Sequence, residues 1–173
     1  MARELVTRDV DQNSFTALAA EFTREPPEVT HLNWLGPRRN IKATHWPLLY
    51  LPEALSTNST PDPSLPQAGR DSEPEQAFRA SWETRQPTYS GSFTSGTGSP
   101  VFQLYLPLIE RNGFAGALVV EYSIDTLLRN HVPPDVMRRH LLAVLDGKQQ
   151  VLATTSSEPP TTRTRRVPII NEE

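Results

Sequence analysis

The sequence predicts an α+β domain built around one antiparallel sheet, with the helices set aside from the strands. Two apolar runs, 101–109 and 114–122, flank the dipeptide Asn112-Gly113. This dipeptide tolerates positive φ at both central positions of a type I′ turn and therefore indicates a β-hairpin. The second run is apolar on both faces until Glu121, as is typical of a strand covered on both sides. We expect the two runs to pair at the centre of the sheet.

The N-terminal part of the chain predicts a helix followed by a hairpin. Residues 3–23 carry apolar side chains at helical spacing, including Phe15 and Ala19, and two prolines end the pattern. Residues 29–35 and 41–45 alternate as strands on either side of a turn at 36–40. The apolar stripe thins toward the N-terminus, so that end of the helix is expected to project from the domain or to pair with another subunit.

The middle of the chain predicts a long loop, a capped helix and a strand. Prolines punctuate residues 47–72, where only a short helical turn at 53–55 is expected. Ser72 and Glu75 have the spacing of a capping box, and the helix that they begin is expected to end near Thr84. Residues 88–94 alternate in the manner of a strand that precedes the central hairpin.

The C-terminal part predicts a second, smaller unit. A short helix at 124–130 is followed by two prolines that open another helical turn. Residues 140–154 then repeat the pattern of a hairpin, with Asp146-Gly147 as its turn. We therefore divide the chain into a domain at 1–132 and a segment at 133–173. The segment is expected to start an incomplete second unit or to form a C-terminal extension, unless its strands join the first sheet.

The composition excludes several classes of protein. The 173 residues contain no cysteine, which rules out a disulfide framework, a cysteine nucleophile and a thiolate metal site. The net charge is −3 and the basic residues are scattered, so no nucleic-acid partner is expected. No apolar run approaches the roughly 20 residues that cross a bilayer, and no signal peptide precedes the first helix. We expect a cytosolic protein or a soluble piece of a larger one.

The sequence lacks the spacings that catalytic and metal sites require. The four histidines include no i, i+4 pair and lie in no metal-ligand motif. The serines at 90 and 95 lack the glycine spacing of a nucleophile elbow. The glycine-containing run at 91–98 has threonine where a phosphate loop needs lysine. We therefore predict no catalytic residue, no metal site and no cofactor.

A group of aromatic, hydroxyl and cationic residues predicts a binding site instead. The residues come from the helix at 72–84 and the strands that follow it; they are Arg79, Trp82, Arg85, Tyr89, Ser90, Gln103 and Tyr105. A guanidinium binds a carboxylate in a bidentate fork, so this group suits a small anion in an aromatic-lined hollow. Arg79 is the preferred arginine because it lies nearer the face of Phe78 and Trp82. The alternative is that Trp82 and Tyr105 belong to the core and both arginines are solvated.

Several stretches of the sequence share a family pattern. They are Ala77-Phe78 with Arg85-Gln86-Pro87-Thr88-Tyr89-Ser90, Phe102 with Leu106-Pro107-Leu108, Gly113-Phe114-Ala115-Gly116-Ala117-Leu118 with Tyr122-Ser123-Ile124 and Leu127-Leu128, and the early pattern Val29, Leu32-Asn33-Trp34-Leu35 and Ile41. These stretches resemble the extracytoplasmic PAS-like (Cache, or PDC) sensor domains of bacterial membrane receptors, chiefly histidine kinases and diguanylate cyclases. The resemblance covers about residues 5–128. One departure is Pro37-Arg38-Arg39-Asn40, where members of that family often have an Asp-x-x-Gly turn.

The resemblance implies a PAS-like central antiparallel β-sheet with a long N-terminal helix and flanking short helices. It implies a periplasmic domain of an inner-membrane receptor. This domain would bind a small organic acid or amino acid between its sheet and its loops. It also implies membrane spans outside this sequence, a homodimer through the N-terminal helix, and a second, membrane-proximal PAS-like unit after residue 132. The histidine kinase output that it favours would lie elsewhere in the protein.

Two other classes of function stay open at this point. The first is a dimerisation or protein-interaction module, of a receptor such as a diguanylate cyclase, whose pocket is filled by its own side chains. The second, less favoured, is a small hydrolase, which would need a nucleophile and a base within hydrogen-bond reach.

Overall fold

A computed structural model describes residues 11–47, 72–110 and 113–155. Within them the helices are α1 (Gln12–Phe22), α2 (Glu73–Thr84), α3 (Ile124–His131) and α4 (Pro134–Arg139). The strands are β1 (Val29–Leu35), β2 (Ile41–His45), β3 (Thr88–Tyr89), β4 (Phe93–Thr94), β5 (Pro100–Glu110), β6 (Gly113–Ser123), β7 (Ala143–Leu145) and β8 (Val151–Thr154). The predicted α+β class is confirmed. The helical turn expected at 53–55 lies outside the described residues.

The main sheet has the order β2-β1-β6-β5-β3. Strand β4 also pairs with β5, at the start of β5, on the N-terminal side of the residues that pair with β3. All of these pairs are antiparallel. The predicted central hairpin is confirmed, since β5 and β6 pair from Val101 opposite Ser123 to Glu110 opposite Gly113, with a register shift between Leu108 and Ile109. Asn112, the first residue of the expected turn dipeptide, lies outside the described residues. The early hairpin is also confirmed as β1 and β2.

Helices cover both faces of the central strands. On one face, α1 contributes Phe15 and Ala19 to a buried cluster with side chains of β1 and β6, including Leu32 and Leu118. On the other face, α2 contributes Ala77 and Phe78 to a second buried cluster. Strand β6 supplies both clusters because successive residues point to opposite faces of a sheet. This explains why its sequence is apolar on both faces.

Helix α1 begins later than the sequence pattern predicts. Asp11 has an extended backbone, with φ −80° and ψ 174°, and its carboxylate accepts a 2.8 Å hydrogen bond from the Ser14 amide. Asp11 is therefore an N-cap, and the prediction of one unbroken helix over 3–23 is wrong at this point. Residues 1–10 lie outside the described part of the chain. The helix ends at Phe22, close to the predicted end.

Residues 88–94 form two short strands rather than the single predicted strand. The Ser90 amide donates to the Gln103 carbonyl at 2.8 Å, but the Gln103 amide donates to the Ser90 hydroxyl at 2.9 Å. A side-chain oxygen thus replaces the backbone carbonyl that a continuing ladder would supply. The Gly91 amide then donates to the carboxylate of Glu73 in α2, at 3.1 Å. The chain leaves the sheet here and rejoins it at Phe93.

The C-terminal hairpin forms a separate two-stranded sheet. Strands β7 and β8 pair antiparallel, with Val144 opposite Ala153. Ala153 packs on Ile124 and Leu128 of α3 in a third buried cluster. The division of the chain between residues 132 and 133 stays a prediction, since the residues after Thr155 lie outside the described part. Among the described residues, no helix is both long and apolar enough to cross a membrane.

Gly116 in β6 provides a test of the close packing of β6 against the end of β1. Its φ is +138°, and a Cβ atom there would overlap the carbonyl oxygen of Leu35. A Gly116→Ala variant should therefore lose about 2 kcal/mol or more of unfolding free energy, from backbone strain and steric overlap together. Urea unfolding monitored by circular dichroism measures this loss.

Gly98 is the matched control for this substitution. It also has a positive φ, +83°, but nothing lies within 4 Å of a Cβ added there. Gly98→Ala should cost only the backbone strain, about 1 kcal/mol. Equal losses for the two variants would contradict the role assigned to the Leu35 carbonyl.

Candidate functional site

The sheet face that α2 covers is divided into an apolar half and a polar half. Leu35, Ala117 and Val119 form the apolar half, under Ala77 and Phe78 of α2. The polar half begins where Glu121 of β6 lies opposite His31 of β1 and Gln103 of β5. On the same face, Tyr105 follows Gln103 by two residues in β5, and Asn33 follows His31 by two residues in β1. All of these polar side chains are buried. The candidate site is this polar half.

Glu121 is the charged residue at the centre of the polar half. One carboxylate oxygen accepts from the Thr30 hydroxyl at 2.9 Å, and the other accepts from the Gln103 side-chain amide at 2.8 Å. The His31 Nδ1 atom lies 3.6 Å from the carboxylate, within ion-pair range but beyond a hydrogen bond. A register shift between Val29 and His31 lets both Thr30 and His31 reach Glu121.

The surroundings of Glu121 keep its carboxyl ionised. Burial alone would raise its pKa, but the His31 imidazole and the hydrogen bonds from Gln103 and Thr30 outweigh that effect. The pKa of Glu121 therefore lies below its ordinary value. An ionised carboxylate can only accept hydrogen bonds, so each group that is hydrogen-bonded to Glu121 must donate to it.

Gln103 and Tyr105 continue the hydrogen bonds away from Glu121. The Tyr105 hydroxyl donates to the side-chain oxygen of Gln103 at 2.7 Å. Burial raises the pKa of Tyr105 well above its ordinary value, and the nearby positive charge of Arg39 only partly opposes this shift. Tyr105 is therefore a neutral phenol at physiological pH.

The β1 side of the site holds a second polar chain. The Thr44 hydroxyl donates to the Asn33 side chain at 2.7 Å, and Asn33 is hydrogen-bonded to the His31 ring at 2.7 Å. The Trp46 indole stacks on the His31 ring with centroids 4.3 Å apart and planes 8° from parallel. His31 is thus held from two directions, which fixes the plane of its imidazole.

Arg39 brings a cation to the boundary between the polar and apolar halves. It lies in the β1–β2 turn with a left-handed backbone, φ 63°, and its amide donates to the Gly36 carbonyl at 2.9 Å. Its Nη1 atom pairs with the Glu75 carboxylate of α2, and the guanidinium lies 5.8 Å from the centre of the Phe78 ring. Its Nε and Nη2 atoms are buried and have no hydrogen-bond partner. These two donors form one edge of the guanidinium plane.

Three of the predicted binding residues lie in or beside the polar half. Gln103 and Tyr105 belong to it, and Ser90 is buried next to Gln103. The Ser90 hydroxyl donates to the Gly91 carbonyl at 2.8 Å while accepting from the Gln103 amide. The hydroxyl hydrogens of Ser90 and Tyr105 are therefore both used within the protein.

The other four predicted residues are exposed. Trp82 is 48% exposed and Tyr89 is 53% exposed, with the Tyr89 ring 6.0 Å from that of Phe102. Arg79 reaches the Glu75 carboxylate at 4.0 Å from the solvent side of α2. Arg85 lies 5.5 Å above the Phe114 ring. The structure thus separates the predicted arginines from Gln103 and Tyr105.

An open cleft of about 180 Å³ lies between α2 and β3. Tyr89 and Ser90 line it together with Glu73, Gln76, Ala77, Ala80, Thr88 and Gly91. Trp82, Arg79 and Arg85 do not line it. Among the described residues, no group of three or more histidine and carboxylate side chains could hold a metal ion.

The residues missed from the sequence are Arg39, Glu121, His31 and Asn33. His31 and Asn33 alternate with apolar residues in a strand that is buried on both faces, and Glu121 interrupts an otherwise apolar strand. These interruptions were visible signals, because buried strands tolerate polar residues only when they are paired. Arg39 had no comparable signal, since a charged residue in a turn is ordinarily solvated.

Comparisons with known proteins support the fold. No protein-family model matches the sequence, and no curated protein matches it. A solved extracellular ligand-binding receptor from Desulfohalobium retbaense DSM5692 is similar to 74% of the chain, at 19% identity and a TM-score of 0.51. The ligand-binding domain of the amino acid chemoreceptor PctC of Pseudomonas aeruginosa PAO1, solved with GABA, is similar to 88% of it, at 12% identity and a TM-score of 0.47.

The chain spans 21% of the length of the first of these proteins and 63% of the second. The likeness to the Desulfohalobium protein shows a shared fold.

The lowered pKa of Glu121 predicts how stability depends on pH. A carboxyl whose pKa is lower in the folded than in the unfolded chain stabilises the fold above its unfolded pKa, about 4.3. That stabilisation is lost as the pH falls from about 4.3 through the folded pKa of Glu121. Glu121→Gln should therefore remove part of the acid sensitivity, measured by urea unfolding from pH 7 to pH 3.

The control for this prediction is Glu110→Gln, the same chemical change at an exposed position at the end of β5. It should retain the wild-type dependence on pH. An unchanged acid response in Glu121→Gln would show that Glu121 is not stabilised in its charged form.

Proposed function

We propose that the chain is an extracytoplasmic ligand-sensing domain of a bacterial receptor. Its ligand would be a small organic acid or an amino acid, bound through its carboxylate at the polar half of the sheet. The domain itself would be non-catalytic. The shared fold with an extracellular ligand-binding receptor supports this class of function, and the arrangement around Arg39 supports the ligand class.

The single observation that carries the ligand class is the free edge of the Arg39 guanidinium. Its Nε and Nη2 hydrogens point the same way, which is the geometry that a carboxylate accepts with both oxygens. Both atoms are buried without a partner, and an unpaired buried donor is costly. A bound carboxylate would remove that cost. The pairing of Nη1 with Glu75 holds the guanidinium while leaving this edge free.

The same contacts suggest how binding would be transmitted. Arg39 joins the β1–β2 turn to α2 through Glu75, so a ligand on its free edge would bear on both elements. A ligand shifts a conformational equilibrium only by the difference in its affinity for the two states. We propose that the bound state fixes α2 against the sheet.

The wider receptor is part of the same proposal. The domain would lie in the periplasm, attached to the inner membrane through spans outside this sequence, and would form a homodimer through its N-terminal helix. The output would be a histidine kinase in a two-component system. Residues 133–173 would begin a second, membrane-proximal unit on the way to it.

The ligand proposal predicts a specific effect of Arg39→Lys. Lysine keeps the positive charge but cannot form the bidentate fork. In a screen of small organic acids and amino acids, a ligand that stabilises the wild-type protein should bind this variant roughly ten- to a hundredfold more weakly, because charge-assisted hydrogen bonds are lost. Thermal shift finds the ligand, and isothermal titration calorimetry measures the dissociation constants.

Arg38→Lys is the matched control, since Arg38 is the exposed neighbour of Arg39 in the same turn. It should bind like the wild type. A screen without any stabilising compound would contradict the sensor proposal and would favour the interaction module, whose pocket is filled by its own side chains.

The exposed arginines of α2 allow a second test of where the ligand lies. Arg79→Ala and Arg85→Ala should each retain the wild-type dissociation constant within about threefold, because surface charges contribute little. A loss of binding in either variant, with Arg39→Lys unaffected, would move the site to the Trp82 side of α2, as the sequence pattern predicted.

A further inference from the structure

The hydrogen bonds of the polar half run in one direction from Tyr105 to Glu121. Glu121 is an ionised carboxylate and can only accept, so Gln103 must turn its amide nitrogen toward it. This leaves the Gln103 oxygen facing the Tyr105 hydroxyl, 2.7 Å away, and that hydroxyl must donate. The orientation of the Gln103 amide therefore follows from the charge on Glu121.

The backbone of Gln103 is fixed as well. Its carbonyl accepts from the Ser90 amide at 2.8 Å, and its amide donates to the Ser90 hydroxyl at 2.9 Å. Gln103 is almost completely buried, with 1% of its surface exposed. Its backbone is held by Ser90 and its side-chain amide by Glu121. The Gln103 side chain therefore cannot move away from Tyr105.

The consequence lies at the Tyr105 oxygen. A phenol has one hydrogen and two lone pairs, and the hydrogen is committed to Gln103. Toward Arg39, whose positive charge and side-chain N–H groups both act on this hydroxyl, Tyr105 can present only lone pairs. The Ser90 hydroxyl is committed in the same way to Gly91. Neither hydroxyl can therefore donate to a ligand carboxylate.

We infer that Glu121 is a specificity-determining positioning residue: by fixing Gln103, it makes Tyr105 an acceptor toward the ligand. The site then selects a carboxylic acid that carries a hydrogen-bond donor, a hydroxyl or an amino group, beside the carboxylate held by Arg39. A ligand with only an acceptor at that place would meet the Tyr105 lone pairs. This inference rests on the proposed function.

Three probes of similar size test the selection, measured by titration calorimetry at pH 7. Lactate and alanine carry a hydroxyl or an amino donor beside the carboxylate, whereas 2-methoxypropionate carries only an acceptor. The wild-type protein should bind at least one of the first two about tenfold or more tightly than 2-methoxypropionate. Which of them binds better distinguishes a hydroxy acid from an amino acid ligand.

The Glu121→Gln variant should reduce that preference to within about threefold. A neutral amide at position 121 can donate as well as accept, so Gln103 can reverse and Tyr105 can donate. Glu110→Gln, the same change at an exposed site, should keep the wild-type preference. Equal binding of all three probes by the wild type would overturn the inference and leave the carboxylate site standing.

A spectroscopic measurement decides the direction of the hydrogen bonds without a ligand. The Raman doublet of tyrosine reports whether the phenol donates or accepts, and the difference between wild type and Tyr105→Phe isolates Tyr105 from the other three tyrosines. A strong-donor signal should be present in the wild type and weakened in Glu121→Gln. An unchanged signal would overturn the role of Glu121, whereas failure of every carboxylate to bind would overturn the proposed function and the ligand selection with it.

Discussion

The burial of the Glu121 carboxylate is the constraint on which the polar half of the sheet depends. A charge removed from water is costly unless its oxygens are paired, and each partner of Glu121 comes from another strand. Thr30 and His31 reach it from β1, and Gln103 reaches it from β5. The register shift in β1 has a physical reason in this arrangement, because a regular strand would turn Thr30 to the opposite face.

The division of one sheet face into two halves explains how rigidity and binding coexist in a small domain. The apolar half packs under α2. There the Phe78 ring makes edge contacts with the rings of Tyr105 and Phe114, with centroids 6.2 and 5.9 Å apart. On the β5 side, the polar half is held by hydrogen bonds whose directions follow from the charge on Glu121. Arg39 lies at the junction, close to both Phe78 and Tyr105. A ligand there would contact groups whose orientations are already fixed, which reduces the entropy lost on binding.

Local patterns in the sequence predict most of the fold, because turn chemistry and strand alternation act over a few residues. The central hairpin, the early hairpin and the α2 cap all follow from such patterns. The break at Ser90 does not, because it depends on a side-chain hydrogen bond to Gln103, thirteen residues away. The site was predicted in part for the same reason. Gln103 and Tyr105 follow from alternation within one strand, whereas Arg39 meets Glu75 only through the tertiary fold.

Strand β6 carries Glu121 of the candidate site close to its end, just before the helix on which the C-terminal hairpin packs. Glu121 precedes Ser123 by two residues, and Ser123 caps α3, on which β8 packs. The Ser123 amide also donates to the Glu28 carbonyl at 2.8 Å, while the Glu28 side chain pairs with His131 at the far end of α3, at 2.9 Å. Helix α3 is therefore tied at both ends to the chain entering β1, next to Thr30 and His31. The contacts of the C-terminal hairpin thus continue through α3 to Glu28, which lies two residues before Thr30 in the chain.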